Sequence, residues 1–391
     1  MNIWPQFTDK MITRVSEILK SGKVNQWTNP IVKEFEDKFS NYFGCKYSVA
    51  VFNGTVALEL CLKTLNLKEG DKVIVTSRTF LASATCAAWY GIKPVFVDVD
   101  LDSQNITLET IKQGITDKTK AVILVHLAGW PCDLEEICKY CKENNIWVIE
   151  DCAQSHGAKY NDKYVGTWGD INAWSFCQDK IISTGGEGGM VTTNNLELYK
   201  RAWSLKDHGK GYDTIFNKPH QNGFRWLHEE IGTNWRMLPI QAAIGIEALD
   251  ELANWVKHRR QIASIYNEQL KGIDGVRLTI PSNNIYHSYY KYYFFINPEK
   301  IKVSRDDLIE EINKNGVFCQ IGSCGEVYKE KALEQYKPVT DLPNAKHLFE
   351  TAVLLKCDPT IDSTKALNDI MIIKNIIHDM YNGSKNTDNK F

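Results

Sequence analysis

Residues 120–151 read KAVILVHLAGWPCDLEEICKYCKENNIWVIED, and this stretch decides the fold class. It begins with an apolar run at 120–127, continues with a helix-like pattern at 133–145 and ends in a second apolar run at 146–151. Continuous apolar runs are typical of strands that are covered on both faces. The stretch therefore predicts a strand, a crossover helix and another strand of a mainly parallel sheet.

The same alternation extends outward over residues 45–195. Further strands are predicted at 47–52, 71–77, 93–100, 171–177 and 188–194. Further helices are predicted at 55–67, 83–91 and 107–115. This rhythm predicts an α/β fold, with helices on both sides of the sheet and ligands at the carboxyl ends of the strands.

Beyond the sheet, residues 238–272 read as one long helix or two consecutive helices. We predict that it links a large domain, residues 1–245, to a smaller C-terminal α+β domain, residues 246–391. The smaller part contains strand-like runs at 276–280 and 291–297 and a helix at about 304–315.

Bulk composition excludes several classes of protein. The 391 residues carry a formal net charge of −2 and no long basic run, which argues against a nucleic-acid partner. No apolar stretch approaches the ~18 residues that cross a bilayer, and the N-terminus lacks the apolar core of a signal peptide. Eleven cysteines, an odd number, argue against a disulfide framework. We therefore expect a soluble cytoplasmic protein without a membrane partner.

No metal site is predicted. Cys138 and Cys141 form a C-x-x-C within a helical pattern, but a zinc site would need a second such pair. Two structural cysteines on a helix are the simpler interpretation.

Three short motifs carry the candidate chemistry. Lys180 lies within SFCQDKIISTGGEGGM, residues 175–190, between an apolar strand and a glycine cluster. Asp151 ends a buried strand, where an ionised carboxylate needs a partner. Residues 52–55, FNGT, join a strand to a helix whose N-terminus suits a phosphate. Taken singly, each has a structural alternative: a surface lysine, a satisfied acid and a plain N-cap.

The glycine cluster is not a nucleotide-binding loop. Counted from Gly186, the third glycine of a dinucleotide fingerprint falls on Val191, and the cluster lies at the wrong distance from its strand. We interpret these glycines as allowing the backbone to pass close to a bulky group near Lys180.

Together the three motifs match the needs of pyridoxal 5'-phosphate. A lysine amine bonds covalently to the aldehyde, an acid keeps the pyridine nitrogen protonated so that the ring can accept electrons, and a helix N-terminus binds the phosphate. The lysine must lie in a partly desolvated site, because a free lysine is mostly protonated at neutral pH.

The order of the motifs adds a resemblance. NGT, TF, EDCAQSHGA, SF-x-x-x-K, GEGG, DHG and TNWRM follow one another as in the sugar aminotransferases of the DegT, DnrJ and StrS type. The resemblance covers about residues 20–272, with a weaker match beyond. It implies the fold of the type-I pyridoxal phosphate enzymes, with a large α/β/α sandwich domain.

The resemblance also implies residue roles. Lys180 would form the Schiff base and move the proton, and Asp151 would bond the pyridine nitrogen. Phe80 would stack on the ring and Gln154 would approach its hydroxyl side. The phosphate would be bound by Gly54, Thr55 and Ser175, and by Asn234 of the neighbouring subunit in a homodimer with shared active sites. His156 and Glu187 receive no firm role, and His156 is better explained as a core or loop histidine satisfied by backbone.

The implied reaction is a ping-pong transamination. L-glutamate would leave its nitrogen on the cofactor, and a keto- or oxo-sugar would take it up. Lys180 favours this reaction, because related dehydratases carry histidine at that position. The implied pathways are amino-sugar and surface polysaccharide biosynthesis, such as O-antigen, capsule or lipopolysaccharide.

The acceptor stays open at this stage. A nucleotide-linked 4-keto- or 3-keto-deoxysugar is the family's usual acceptor, and a free 8-oxo-octulosonate, giving 8-amino-3,8-dideoxy-octulosonate, is the alternative. Residues 203–230 and the stretch after 315 depart from the family pattern, so we expect both to shape the acceptor pocket. Their basic side chains could bind a carboxylate or a diphosphate, or lie on a solvated loop; they are Lys206, His208, Lys210, Arg225 and His228. A nicotinamide dehydrogenase and a non-catalytic protein that keeps this fold are the rival classes.

Overall fold

The structure is a computed structural model that describes residues 3–219, 223 and 225–388. The strands are β1 Tyr47–Val51, β2 Lys72–Thr76, β3 Lys93–Val97, β4 Thr119–Val125, β5 Trp147–Asp151, β6 Lys159–Tyr160, β7 Lys163–Tyr164, β8 Ile171–Ser175, β9 Gly189–Thr193, β10 Val276–Arg277, β11 Ile285–Tyr286, β12 Tyr292–Ile296, β13 Cys319–Gln320 and β14 Ala352–Leu355. The α-helices are α1 Asp9–Ser21, α2 Ile31–Phe43, α3 Gly54–Thr64, α4 Ala82–Ala88, α5 Leu108–Gly114, α6 Leu134–Glu143, α7 Leu196–Lys206, α8 Tyr212–Phe216, α9 Pro239–Leu270, α10 Pro298–Ile301, α11 Arg305–Lys314, α12 Pro343–Thr351 and α13 Ser363–Asp388.

A seven-stranded sheet forms the centre, in the order β1-β9-β8-β5-β4-β2-β3. The pairs β8–β5, β5–β4, β4–β2 and β2–β3 are parallel, whereas β9 runs antiparallel to both of its neighbours. Helices cover the sheet, and the strands are almost entirely buried. The predicted α/β class and its seven strands are therefore confirmed.

The crossover from β4 through α6 to β5 has the parallel register predicted from its sequence, with Val122 opposite Val148 and Ile123 opposite Ile149. Parallel strands present their carboxyl ends at one edge, so Asp151 at the end of β5 and Ser175 at the end of β8 meet there. The fold thus places the sequence motifs together before any ligand is considered.

The predicted long helix is a single element, α9, with 32 residues. Its first part packs on α1 and α2, and its later part contacts α13. The C-terminal part has an antiparallel sheet in the order β10-β12-β14-β13, of which β10 is shorter than the predicted strand at 276–280. One apolar cluster surrounds the large sheet and a second joins the end of α9 to α11, α13 and the smaller sheet. The domain boundary at residue 245 stays a prediction.

Within the described ranges, no helix is both long enough and apolar enough to cross a membrane.

Candidate active site

A cavity of about 520 Å³ opens at the carboxyl edge of the large sheet. It contains all but one of the predicted site residues, namely Gly54, Thr55, Phe80, Asp151, Gln154, Ser175 and Lys180. These residues come from four separate segments of the chain. The structure therefore brings together groups that the sequence alone placed only at strand ends and turns.

The N-terminus of α3 forms one end of the cavity. Asn53 caps the helix by accepting a hydrogen bond from the Val56 N–H at 2.9 Å. The N–H groups of Gly54 and Thr55 have no acceptor within the helix, because no helical turn precedes them to supply carbonyl oxygens. Backbone donors and the helix dipole thus face the cavity beside Ser175, an arrangement that suits a phosphate.

Gly54 is required at this position by packing. A Cβ there would lie 2.8 Å from the Ser175 Oγ and 3.1 Å from the Ser175 Cα, and would overlap the Ser175 Cβ. Only glycine lets α3 begin directly against β8, which keeps its N–H groups within reach of a ligand.

Asp151 is buried and held from two sides. Its Oδ2 accepts from the Ser83 hydroxyl at 2.8 Å and its Oδ1 from the Ala153 N–H at 3.1 Å. Burial raises the pKa of Asp151, and the two hydrogen bonds and the charge of Lys180 only partly offset that rise. A cation placed against the carboxylate would favour its ionised form. Asp151 is therefore a candidate to pair with a positively charged group of a ligand.

Lys180 lies in the cavity at the end of a hydrogen-bonded chain. Its Nζ donates to the Tyr290 hydroxyl at 3.4 Å and lies 3.5 Å from the Asp179 Oδ1. The Tyr290 hydroxyl in turn donates to the Asp179 carboxylate. The Trp4 Nε1 donates to the Lys180 carbonyl at 2.9 Å, which fixes the backbone of this turn. The lysine is thus partly buried and oriented toward the cavity by its neighbours.

Phe80 and Gln154 lie at the wall of the same cavity. Phe80 is 68% exposed, so its ring is available to a planar ligand. Gln154 is buried, and its Oε1 accepts from the Ala128 N–H at 2.9 Å, which fixes the orientation of the carboxamide.

Asn234 is the predicted residue that does not line this cavity. It is exposed and pairs with Asp207 through a backbone bridge. The predicted role in a neighbouring subunit requires such an outward position, and the role itself stays a prediction.

Other lining residues escaped the sequence reasoning. Tyr290, Lys291 and Tyr293 come from the start of β12 and the segment before it, and Asp179 precedes Lys180. The apolar pattern of residues 291–297 predicted a buried strand, but the same pattern occurs in a strand that lines a cavity. The one signal in the sequence for a place in the cavity was the hydroxyl, amine or carboxylate group that each of these side chains carries.

The two stretches expected to shape the acceptor pocket behave differently. Gln320, Gly322 and Ser323 line the cavity. The described residues among 203–230 do not line it; several, from Ser204 to Glu230, line a separate open groove of about 660 Å³.

Several of the basic residues in the stretch 203–230 contact other groups of the described chain. Lys206 is fully buried, 3.8 Å from Glu36, so a solvated loop is the wrong description for it. Lys210 is also buried, 3.0 Å from Asp207. The His228 Nδ1 lies 2.8 Å from the His208 carbonyl oxygen. These three side chains therefore have partners within the fold, and Lys210 pairs with Asp207.

His156 is a core residue, as expected, but it is not satisfied by backbone in the expected way. Its ring packs between Trp174 and Phe176, and neither nitrogen makes a hydrogen bond of good geometry within the described chain. Burial, reinforced by the charges of Lys180 and Arg259, lowers the pKa of His156 to about 3. The ring is therefore neutral at physiological pH.

A second buried histidine, His126, belongs to a hydrogen-bonded cluster. His126, Glu150 and Cys152 bring ligand-type atoms within 4.8 Å of one another. The His126 Nε2 and the Glu150 Oε2 are already hydrogen-bonded at 3.0 Å, and Glu150 also accepts from backbone N–H groups. This cluster is better explained as core structure than as a metal centre.

The chain is similar to known aminotransferases over most of its length. The family model described as the DegT/DnrJ/EryC1/StrS aminotransferase family matches residues 5–372. GDP-perosamine synthase of Escherichia coli O157:H7 is 41% identical over 286 residues, which are 73% of this chain and 75% of that protein.

Solved structures share the whole architecture. An aminotransferase from Psychrobacter cryohalolentis is 41% identical, with a TM-score of 0.95 over 97% of this chain and 99% of that one. The Escherichia coli GDP-4-keto-6-deoxy-D-mannose-3-dehydratase, solved with bound hydrated pyridoxal phosphate, is 26% identical, with a TM-score of 0.86 over 95% and 97% of the two chains. The predicted fold of a type-I aminotransferase is confirmed.

Proposed function

The chain belongs to the DegT/DnrJ/EryC1/StrS aminotransferase family, and from that premise we propose that it uses pyridoxal 5'-phosphate to move the amino group of L-glutamate onto a carbonyl carbon of a sugar. Family membership makes the chain an aminotransferase, so the rival interpretations as a dehydrogenase or a non-catalytic protein are set aside. The observation that carries the proposal is the single cavity that joins Lys180, Asp151 and the N-terminus of α3.

The residues present fit the proposed cofactor. The N–H groups of Gly54 and Thr55 and the Ser175 hydroxyl would bind its phosphate, since a Cβ on Gly54 would close that space. Asp151 would pair with the pyridine nitrogen, which supplies the cation that this buried carboxylate requires. Phe80 would cover one face of the ring and Gln154 would contact its hydroxyl side. When bound, the cofactor supplies an aldehyde for covalent attachment and a ring that accepts electrons.

The protein's own groups would then position and transfer protons. Lys180 would hold the cofactor through its Nζ, and its amine, once freed, would move a proton to and from the donor and acceptor carbons. Tyr290 and Asp179 orient this amine, which lies 3.4 Å from the one and 3.5 Å from the other. The Ser83 hydroxyl donates to Asp151 at 2.8 Å and would keep its carboxylate in position for the ring nitrogen.

For the acceptor, we propose a nucleotide-linked keto-deoxysugar that serves surface polysaccharide synthesis. The support is the 41% identity to a protein named GDP-perosamine synthase. A free 8-oxo-octulosonate is the alternative acceptor. It is favoured if a sugar acid without a nucleotide is aminated faster than GDP- and UDP-linked keto-sugars.

We also propose a cytoplasmic homodimer. All eleven cysteines are unpaired thiols, as is usual in a reducing compartment. In the dimer, Asn234 of one subunit would bind the cofactor phosphate of the other. Mixing inactive Lys180→Ala and Asn234→Ala proteins under conditions of subunit exchange should restore roughly a quarter of the sites, because a mixed C2 dimer has one intact site of two. A mixture that stays inactive contradicts the shared site.

Spectroscopy tests the central proposal. Purified protein incubated with pyridoxal phosphate should gain a visible absorption band that L-glutamate removes. Lys180→Ala should abolish the band, while its circular dichroism spectrum stays that of the wild type. Protein that binds no cofactor, or whose band persists in Lys180→Ala, contradicts the proposal.

A further inference from the structure

Two lysines of the cavity share one carboxylate. The Lys180 Nζ lies 3.5 Å from the Asp179 Oδ1, and the Lys291 Nζ lies 3.9 Å from the Asp179 Oδ2. Both ammonium groups also lie over the ring of Tyr290, at 4.9 and 4.6 Å from its centroid. Asp179 is therefore a bridge between the two amines.

Lys291 is the lysine whose charge has no assigned task. Among the described residues that line the cavity, Lys180 and Lys291 are the cationic ones. Once Lys180 is committed to the cofactor, Lys291 is the remaining cation on this wall. Its side chain is 22% exposed, so its ammonium group gains from a close carboxylate. The 3.9 Å separation from Asp179 is long for a direct charge-assisted hydrogen bond and leaves room for a better partner.

The position of Asp179 imitates part of an amino acid. In any α-amino acid, standard bond lengths place the amino nitrogen roughly 2.7–3.6 Å from a carboxylate oxygen. The 3.5 Å between the Lys180 Nζ and the Asp179 Oδ1 falls within this range. A donor whose nitrogen takes the place of the Lys180 amine can therefore reach the position of the Asp179 carboxylate, beside Lys291, with its α-carboxylate.

We propose that Lys291 binds the α-carboxylate of the amino-acid donor and that Asp179 occupies this position until the donor displaces it. The inference rests on the proposed transamination and adds the residue that recognises the donor. Asp179 can leave, because its side chain is 53% exposed and belongs to a turn. The Tyr290 hydroxyl, which donates to Asp179, can donate to the incoming carboxylate instead.

The two charged residues therefore have opposite effects on donor binding. Lys291→Met removes the cation, so the apparent Kd for the donor should rise by about 10- to 100-fold, as for a lost hydrogen bond between charged groups. Lys291→Arg should restore most of the affinity, because the charge is kept. Asp179→Asn removes the internal competitor and should lower the apparent Kd by a few-fold.

The experiment uses the holoenzyme and two donors. L-glutamate and L-glutamine share the α-carboxylate, but only L-glutamate has a carboxylate on its side chain. The apparent Kd of each comes from the concentration dependence of the loss of the visible band in stopped flow. Lys314→Met serves as control, because Lys314 pairs with Glu310 on the exposed face of α11. Lys291→Met should weaken both donors by the same factor, and Lys314→Met should weaken neither.

The outcomes separate the inference from the function on which it rests. Unchanged donor affinity in Lys291→Met, with a reactive wild type, overturns the inference and leaves the proposed function intact. A loss for L-glutamate alone assigns Lys291 to the side-chain carboxylate and also overturns it. A wild type that reacts with neither donor contradicts the proposed donor. Calorimetric binding of α-methyl-L-glutamate, which lacks the Cα hydrogen and cannot react, then still tests Lys291.

Discussion

Replacing Glu150 by glutamine should destabilise the protein strongly without touching its chemistry. Glu150 is fully buried and accepts four hydrogen bonds. Its Oε1 accepts from the N–H groups of Trp168 and Gly169, at 2.8 and 2.7 Å, and its Oε2 pairs with the His126 Nε2 at 3.0 Å and the Gly166 N–H at 2.8 Å. Glutamine has the same shape but presents an NH2 group in place of one oxygen.

The cost follows from the groups left without an acceptor. If the NH2 group replaces Oε2, the Gly166 N–H loses its partner. The His126 Nε2 loses its acceptor as well and cannot accept instead, because its Nδ1 already accepts from the Cys132 N–H and Nε2 therefore carries the proton. Each buried donor left unsatisfied costs about 1–3 kcal/mol, so the two donors together cost about 2–6 kcal/mol. With an unfolding entropy of about 2.1 cal/mol/K per residue, this lowers the Tm by roughly 2–7 °C if the chain unfolds as one unit.

The pH dependence of this cost has a definite sign. Burial alone would raise the pKa of Glu150, but His126 and the backbone N–H groups hold it below its ordinary value. A carboxylate with a lowered folded-state pKa stabilises the protein above its unfolded-state pKa, and that stability is lost as the pH falls through the folded value. The difference between Glu150→Gln and the wild type should therefore shrink below about pH 4.

Two variants make the test sharp. Glu17→Gln, on the exposed side of α1, should leave the Tm unchanged. Asp151→Asn should show the opposite pattern to Glu150→Gln. Burial raises the pKa of Asp151, so its ionised form destabilises the fold as the pH rises through that range. Removing the charge should therefore cost little stability, although it should abolish transamination. Differential scanning calorimetry and the loss of the visible band with L-glutamate are the two measurements. A Tm loss below about 1 °C in Glu150→Gln would refute the assignment of these four hydrogen bonds to stability.

Three further predictions rest on single contacts. Gly54→Ala places a Cβ against Ser175 and should cost about 1–3 kcal/mol and weaken pyridoxal phosphate at least ~10-fold, as measured by fluorescence titration; a normal affinity contradicts the proposed phosphate site. His156→Phe should reduce the pH dependence of the free energy of unfolding by about 1.4 kcal/mol per pH unit between pH 6 and pH 4. In the wild type, the unfolded chain takes up a proton there that the folded chain does not, because the pKa of His156 in the folded chain is about 3. Urea titrations at several pH values check this. Trp4→Phe removes the bond to the Lys180 carbonyl and should speed hydrogen exchange in the turn around Lys180 by about 5-fold, whereas unchanged exchange would show that Trp4 does not fix that turn.

The large sheet was predictable because its signal is local. Each central strand is an apolar run buried on both faces, and the helices between the strands carry caps that the sequence shows, such as Asn53. The direction of β9 was not predictable in this way. An antiparallel strand follows from the path of the chain after Ser175, which includes the glycine-rich turn, and the apolar pattern of 188–194 is the same in either direction.

In the candidate site too, local features were predictable from the sequence and long-range contacts were not. Asp151, Ser175 and the turn at Gly54 end or follow strands, so their common edge could be predicted from strand order alone. Tyr290 lies 110 residues from Lys180 in the chain, and no pattern in the sequence pairs the two. Contacts of that kind depend on how the segment after α9 returns to the sheet.

The neighbouring acids Glu150 and Asp151 show how far a motif can be interpreted without a structure. Side chains alternate across a strand, so adjacent residues of β5 must face opposite sides of the sheet. Asp151 reaches Ser83 and the cavity, whereas Glu150 reaches the turn at Gly166 and His126. Both are buried, but burial raises the pKa of Asp151 while hydrogen bonds lower that of Glu150. Glu150, whose hydrogen-bond partners are all within the protein, stabilises the fold. Asp151 lacks a cationic partner of comparable strength, and a ligand can supply one.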